Sequence, residues 1–365
     1  MHKISGIYHI YNLTSYYKIE LDFSINFWGD SLEDVMRLIE ENYGIEVEGI
    51  EKIKNVYKVK TKEGYKCLKA SKYDFGQFQF IIACIKYLLD KGFEAVLPFC
   101  SARNGKSFIE FNTGYAFLCE WVESREANFK NPIELKMCIE TLSSLHLMSR
   151  GFTPPPETRG RNYYGRWMDK FKKRCDELLY FKALIKSKDK ISEFDSIYQR
   201  HFDSHYRQGL KAIKDIEGSK YIQIMDKHKV LKGFCHHDTA NHNFLITGDS
   251  KVYMIDFDYC VMDSYLHDLT SIIIRNLKHG NWNFYTFDYI LDIYSKNIYI
   301  DDDELYLIFC FMEFPQDFWQ VGLQYYVEKQ PWGEEFFIKK LNRIVGDSVD
   351  RMEFLRDFET SFLEG

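Results

Sequence analysis

Apolar and polar residues alternate with a period of two over residues 45–53, 56–61 and 65–70, which predicts three strands, the last two separated by Lys62-Glu63-Gly64 as a hairpin turn. Ahead of them Leu32, Val35, Leu38 and Ile39 recur at helical spacing. Ser31 is placed to cap that helix, with Asp34 as an acidic variant of the capping box, and Gly44 ends it. Phe75, Phe78, Ile81, Ile82, Ile85, Leu88 and Leu89 mark a second helix, stopped at Gly92. Further strands are expected at 96–101, 107–111 and 115–122. From about Asn128 the periodicity becomes helical: Leu135, Cys138, Ile139, Leu142, Leu145 and His146 share one face until Pro154-Pro155-Pro156 breaks the pattern. Helices are then expected over 162–185, 191–215 and 219–230, and again over 266–278, 283–298, 302–313, 316–328 and 333–358. Between these series lies a short hairpin, Phe244-Leu245-Ile246, the turn Thr247-Gly248-Asp249-Ser250, and Val252-Tyr253-Met254-Ile255. The order reads as an α+β fold of two lobes. Residues 1–122 form a small lobe with an antiparallel sheet, and 123–365 a large, mainly helical lobe. Residues 1–30 are aromatic and irregular, with no chemistry to assign.

Composition narrows the function. A chain of 365 residues can bury a large core, and its net charge of −6 with interspersed signs leaves no basic footprint for nucleic acid. The nine cysteines include no Cys-x-x-Cys pair, and Cys84, Cys138 and Cys310 fall on apolar helical faces, as buried free thiols do in a reducing cytoplasm. No export signal and no apolar run of membrane-spanning length is evident, so no membrane partner is expected.

The chemistry concentrates in the hairpin and the residues before it. Phe234-Cys-His236-His237-Asp238 precedes the first strand, Asn243 follows Asp238 by five residues, and Asp256 opens Asp256-Phe257-Asp258 after the second strand. A phosphotransfer loop of the protein-kinase kind uses an aspartate to orient and deprotonate the attacking hydroxyl, an asparagine five residues on to hold a divalent metal, and a second metal-binding aspartate beyond the next strand. Oxygen ligands supplemented by water and phosphate suit magnesium. A rival reading takes His236, His237, Asp238 and His242 as ligands of a transition metal in a phosphohydrolase. Such enzymes place their His-Asp pair on a helix, whereas this one precedes a strand.

A small lobe of this type carries a lysine on its third strand, aimed at the α and β phosphates, and Lys69 occupies that place. The strand ending in Glu120-Trp121-Val122 is the expected hinge, whose backbone would bond adenine. His146 is read as a satisfied core histidine. Two features depart from the pattern. The turn Lys52-Ile53-Lys54-Asn55-Val56 has no glycine to cover the phosphates, and the helix over 75–90 offers Gln77, Gln79 and Lys86 but no glutamate to pair with Lys69. Lys69 is therefore expected to be held less firmly.

Asn55-Val56-Tyr57, Lys69, Glu120-Trp121, Leu145-His146, His236-His237-Asp238 to Asn243, Asp256-Phe257-Asp258 and His267-Asp268-Leu269 together resemble the aminoglycoside phosphotransferase and choline kinase superfamily. Within it the chain is most similar to the bacterial spore coat protein S family, through His-His-Asp in place of His-Gly-Asp and the segments Phe314 to Trp319, Tyr325-Tyr326 and Lys329 to Trp332. The resemblance implies a two-lobed kinase-like fold with ATP or GTP between the lobes. Asp238 would be the catalytic group, and Asn243, Asp256 and, as a second-metal contact, Asp258 would hold magnesium. Lys69, Glu120, Trp121, Val122, Leu245 and Ile255 would contact the nucleotide, and Asp268 would fix the catalytic loop. The acceptor would be a small molecule, cationic if Asp258, Asp263, Glu313 and Asp317 with Trp282 or Trp319 gather to receive it. An alternative is a catalytically weak or inactive kinase-like protein that serves as an interaction surface for other spore coat proteins. The location implied is cytoplasmic, with deposition on the spore coat.

Overall fold

The computed structural model describes residues 31–158 and 161–363. Helix α1 (Leu32–Tyr43) has the expected reciprocal Ser31–Asp34 capping box and ends at Gly44 in the left-handed region. Strands β1 (Val47–Ile53), β2 (Val56–Thr61) and β3 (Gly64–Ser71) follow, then α2 (Phe75–Asp90), β4 (Ile109–Phe111) and β5 (Gly114–Glu120). The five strands form one antiparallel sheet in the order β1-β2-β3-β5-β4. Residues 96–101, expected as a strand, make only an isolated bridge between Phe99 and Cys119.

The helical part comprises α3 (Pro132–Met148), α4 (Trp167–Lys186), α5 (Glu193–Gly218), α6 (Tyr221–Leu231), α7 (Leu266–Leu277), α8 (Phe284–Ser295), α9 (Asp302–Glu313), α10 (Gln316–Leu323) and α11 (Glu334–Phe358). The helix expected over 316–328 changes to π geometry at Gln324–Glu328. A strand that the sequence does not announce, β6 (Ser124–Glu126), pairs with β7 (Phe244–Thr247), which in turn pairs with β8 (Val252–Met254). All three residues of β6 are polar and exposed, so it carries no periodic signal.

Among the described residues three cores hold the fold together. One lies between α1 and the sheet and contains Val35, Ile39, Tyr57, Leu68 and Leu118. The largest runs through the helices and takes in Phe80, Ile81, Cys84, Ile85 and Leu88 of α2 together with Phe152, Phe234, Phe257 and Cys260. Helix α2 follows the sheet strands in sequence, yet its inner face is anchored in the helical lobe. The Phe80 and Phe152 rings meet edge to face at 5.7 Å, and the Tyr87 hydroxyl donates to the Arg150 carbonyl at 2.6 Å. A third core joins Phe181, Phe194 and Tyr198 to Phe318, Trp319 and Tyr326, so most of the C-terminal aromatic segment is interior. Trp332 remains partly exposed beside Phe336. All nine cysteines are free thiols. Among the described residues no helix is long and apolar enough to cross a membrane.

Candidate functional site

The sheet and the three-stranded unit face each other across a cleft of about 1410 Å³. That exceeds the few hundred to 1,000 Å³ typical of small-ligand pockets and leaves room for a nucleotide. Lys69 of β3, Glu120, Trp121 and Val122 after β5, Asn243, Leu245 of β7, and Ile255, Asp256 and Asp258 after β8 all line it. Apolar walls come from Ile85, Val96, Phe99, Phe117 and Met254. The Trp121 amide donates to the Tyr65 carbonyl at 3.0 Å, so that amide is not available to a base. Over the cleft the β1–β2 turn uses Lys54 at φ 53 where a glycine is usual, and Lys52 and Lys54 both line the cavity.

Lys69 reaches across from the sheet. Its Nζ lies 2.5 Å from Asp256 Oδ1 and 2.8 Å from Asp258 Oδ1, although the sequence separates it from Asp256 by 187 residues. The lysine is thus firmly held, which corrects the expectation drawn from the missing helix glutamate. Burial disfavours its charge, but Asp258 and then Asp256 outweigh that and raise its pKa. Burial acts upward on Asp256 too, yet Lys69 brings its carboxyl below the usual range. Burial keeps Asp258 above that range, with Lys69 offsetting only part of the rise and Asp256 adding repulsion.

Asp238 sits beside the cleft in the loop ahead of β7. Its Oδ2 accepts from Asn243 Nδ2 at 2.9 Å and its Oδ1 from Arg275 Nη2 at 3.0 Å. The same Asn243 nitrogen also donates to the Asp238 carbonyl at 3.0 Å. With the nitrogen so engaged, the amide oxygen is the end that remains for a cation. The donors in the cleft are therefore amide and carboxylate oxygens, which suit a hard cation such as magnesium.

Two residues beside Asp238 and Asp258 adopt left-handed backbone without being glycine, His237 at φ 69 and Asp256 at φ 66. Such conformations cost about 1–3 kcal/mol and persist only where the surroundings impose them. Here Asp268 at the start of α7 imposes the first: Oδ2 accepts from the His236 amide at 2.7 Å and Oδ1 from the His237 amide at 3.0 Å. Its Oδ2 also lies 3.2 Å from His146 Nε2, while His146 Nδ1 meets the Tyr294 hydroxyl at 2.7 Å, making His146 a satisfied core histidine. The second is held by the Ile255 amide on the Asn243 carbonyl at 3.0 Å and by His236 Nε2–H on the Ile255 carbonyl at 2.8 Å. Asp268 is fully buried, so Asp268→Ala, which strands two amides and His146, is expected to cost about 3 kcal/mol or more, read as a lower urea midpoint at unchanged m.

Among the described residues His236, His237 and His242 form no cluster of metal ligands. His236 Nε2 is engaged by the Ile255 carbonyl, and His237 stacks on His267 at 3.7 Å between centroids. Among the described residues one trio of donor side chains lies close together, His146, Cys235 and Asp268. It is buried, and Asp268 is committed to His146 and to two amides. Burial, reinforced by the neighbouring His267, depresses the His237 pKa to about 4. Unfolded His237 titrates near 6.5, so the unfolded chain binds the extra proton first on acidification. Stability from this group is complete above pH 6.5 and is lost as pH falls toward 4, by about 3 kcal/mol at most. His237→Asn, which tolerates the left-handed backbone, should flatten stability over that window, as measured by urea unfolding at a series of pH values.

The acidic residues considered for a cationic acceptor do not form one wall. Asp258 is on Lys69, Glu313 on Lys211 at 2.8 Å, Asp317 on Lys278 at 3.3 Å, and Asp263 is buried with an oxygen 3.7 Å from His237 Nε2. Trp282 donates to Asp347 and Trp319 to Glu177. Two cations escaped the sequence reading. Arg275 lies seven residues after Asp268 on α7, so one helix face supplies both the anchor of the loop and a partner for Asp238; that spacing was the available signal. Arg161 donates from Nη1 to the Asp258 carbonyl at 2.5 Å and the Cys260 carbonyl at 3.1 Å, from a loop with no local pattern to mark it.

Solved structures share this architecture. An aminoglycoside phosphotransferase from Alicyclobacillus acidocaldarius superposes with a TM-score of 0.80 at 17% identity, covering 94% of this chain and 100% of that one. A spectinomycin phosphotransferase in complex with ADP and spectinomycin gives 0.65 at 14% identity over 91% and 99% of the two chains. An amicoumacin kinase in complex with AMP-PNP and Ca2+ gives 0.60 at 15% identity over 90% and 94%. At these identities the likeness establishes the kinase-like fold. An uncharacterized protein of Mycoplasma pneumoniae, an MG356 homolog, is 29% identical over 85 residues, which is 23% of this chain and 28% of that protein. The family model described as "Spore coat putative kinase YutH" matches residues 36–358, nearly the whole of the described chain, and the protein belongs to that family.

Proposed function

We propose that the protein is a phosphotransferase that moves the γ-phosphoryl group of ATP or GTP to a hydroxyl of a small molecule, in association with the bacterial spore coat. The observation that carries this reading is the meeting of Lys69 with Asp256 in one cleft, beside a mutually bonded Asp238 and Asn243. In this reading Lys69 orders the α and β phosphates. Asn243 and Asp256 hold the magnesium that accompanies the nucleotide, which neutralises charge on the phosphates. Asp238, fixed on one side by Asn243 and on the other by Arg275, orients the acceptor hydroxyl and takes its proton. Catalysis of this kind consists of positioning and charge stabilisation, with little covalent work for the protein. The lining of the cleft by Glu120, Val122, Leu245 and Ile255 supports their role as nucleotide contacts.

The alternative of an inactive interaction protein rested on an unpaired lysine and exposed aromatics. Lys69 has carboxylate partners, which removes the first ground, while of the aromatics Trp319 is buried, Tyr325 half-buried and Trp332 exposed, so the second weakens only in part. The enzyme reading is tested by incubating the protein with magnesium and each nucleotide against a panel of hydroxyl compounds, both cationic and neutral. One acceptor class gaining a phosphoryl mass with matching nucleoside diphosphate supports it. No acceptor and no nucleotide turnover across the panel would count against it.

A further inference from the structure

Two carboxylates share the Lys69 ammonium, and they are not equivalent. The Asp256 side chain is 32% exposed to the cleft, the Asp258 side chain 13%. Asp258 lies in the 3-10 turn Phe257–Tyr259, and Arg161 bridges the carbonyls at Asp258 and Cys260, so its backbone is pinned to the helical lobe. Phe257 and Cys260 on either side are buried in the largest core. Helix α2, where a lysine-pairing glutamate belongs, presents Gln77, Ile81 and Ile85 to the cleft instead. Its one acidic residue, Asp90, is the last of the helix.

Resting on the nucleotide-site reading above, we propose that Asp258 is the positioning residue for Lys69, taking the part that α2 leaves vacant. Asp258, pinned to the helical lobe, fixes the ammonium whether or not Asp256 would turn an oxygen to a metal. The lysine is then anchored from the catalytic hairpin, and because α2 is itself packed into the helical lobe, the site stands assembled without any swing of that helix. A charge-assisted bond of this kind fixes the direction of the ammonium as well as its charge. This role differs from that of a second-metal ligand, and the two make opposite predictions in the absence of metal.

The test titrates ADP and ATP into the full chain by calorimetry, in EDTA and in magnesium, for the wild type, Asp258→Asn, Asp258→Ala and Asp258→Ala/Gln77→Glu. In parallel, mass spectrometry follows the rate at which an amine-selective acylating reagent modifies Lys69 without nucleotide. Thermal unfolding of each variant establishes that it is folded, and the near-isosteric Asn variant serves if the Ala variant is not. Loss of Asp258 should weaken metal-free nucleotide binding on the order of tenfold and speed acylation of Lys69. Gln77→Glu, which places a carboxylate on the α2 face lining the cleft, should restore both. Metal-free affinity and Lys69 reactivity equal to wild type, with a deficit only in the magnesium requirement, would overturn the proposal in favour of a metal ligand. Failure of the wild type to bind nucleotide, with Lys69 acylation still accelerated in the variants, would sink the nucleotide reading and uphold the pairing.

Discussion

Asp238→Asn is expected to lower phosphoryl transfer by about 10²- to 10⁴-fold while leaving nucleotide affinity at its wild-type value. The asparagine keeps an oxygen for Asn243 Nδ2 or Arg275 but has no basicity with which to accept the hydroxyl proton. Nucleotide binding is spared because Asp238 lies outside the set of side chains that wall the cleft. Single-turnover measurements with the acceptor from the panel, alongside nucleotide titration, separate the two effects. Equal losses in both would place Asp238 in binding, and unchanged turnover would remove it from the chemistry. Arg275 loses its charged partner in this variant, so a thermal unfolding control is needed to show that α7 stays in place.

Asp256→Asn is expected to abolish the magnesium-dependent part of nucleotide binding. At ligand concentrations of 100 times the dissociation constant, a binding site stabilises the native state by about 2.7 kcal/mol, and the variant should lose that increment when magnesium is the variable. Binding without metal should survive, because Asp258 still holds Lys69 at 2.8 Å. A variant that binds equally with and without magnesium, at the wild-type metal-free affinity, meets the expectation. One that responds to magnesium as the wild type does would remove Asp256 from the metal site.

Most of the scaffold is legible in the sequence, for reasons that differ between elements. Helices α1, α2 and α3 announce themselves through apolar spacing, and α1 also through its cap, because a face buried in a core must repeat at helical period. The strand expected at 96–101 failed because its apolar residues satisfy a cleft wall rather than a ladder: Val96 and Phe99 line the cavity. Strand β6 was invisible because a three-residue exposed strand needs only backbone groups to pair. The hairpin that brings Asn243 and Asp256 to one cleft was legible because their spacing is local. Arg275 left only its seven-residue spacing from Asp268, and Arg161 was not legible, since its partners are set by tertiary packing alone. The same holds for Lys69. A glutamate was sought on α2, where sequence pattern places it, while the carboxylates that hold the lysine come from the far side of the cleft.

The most direct measurement is a calorimetric titration of the wild-type protein and Asp256→Asn with ATP and with GTP, each in magnesium and in EDTA. The account predicts that at least one nucleotide binds the wild type more tightly with magnesium, and that the substitution erases this difference while metal-free binding persists. Absence of binding by either nucleotide under both conditions would contradict it and leave the cleft without its assigned ligand.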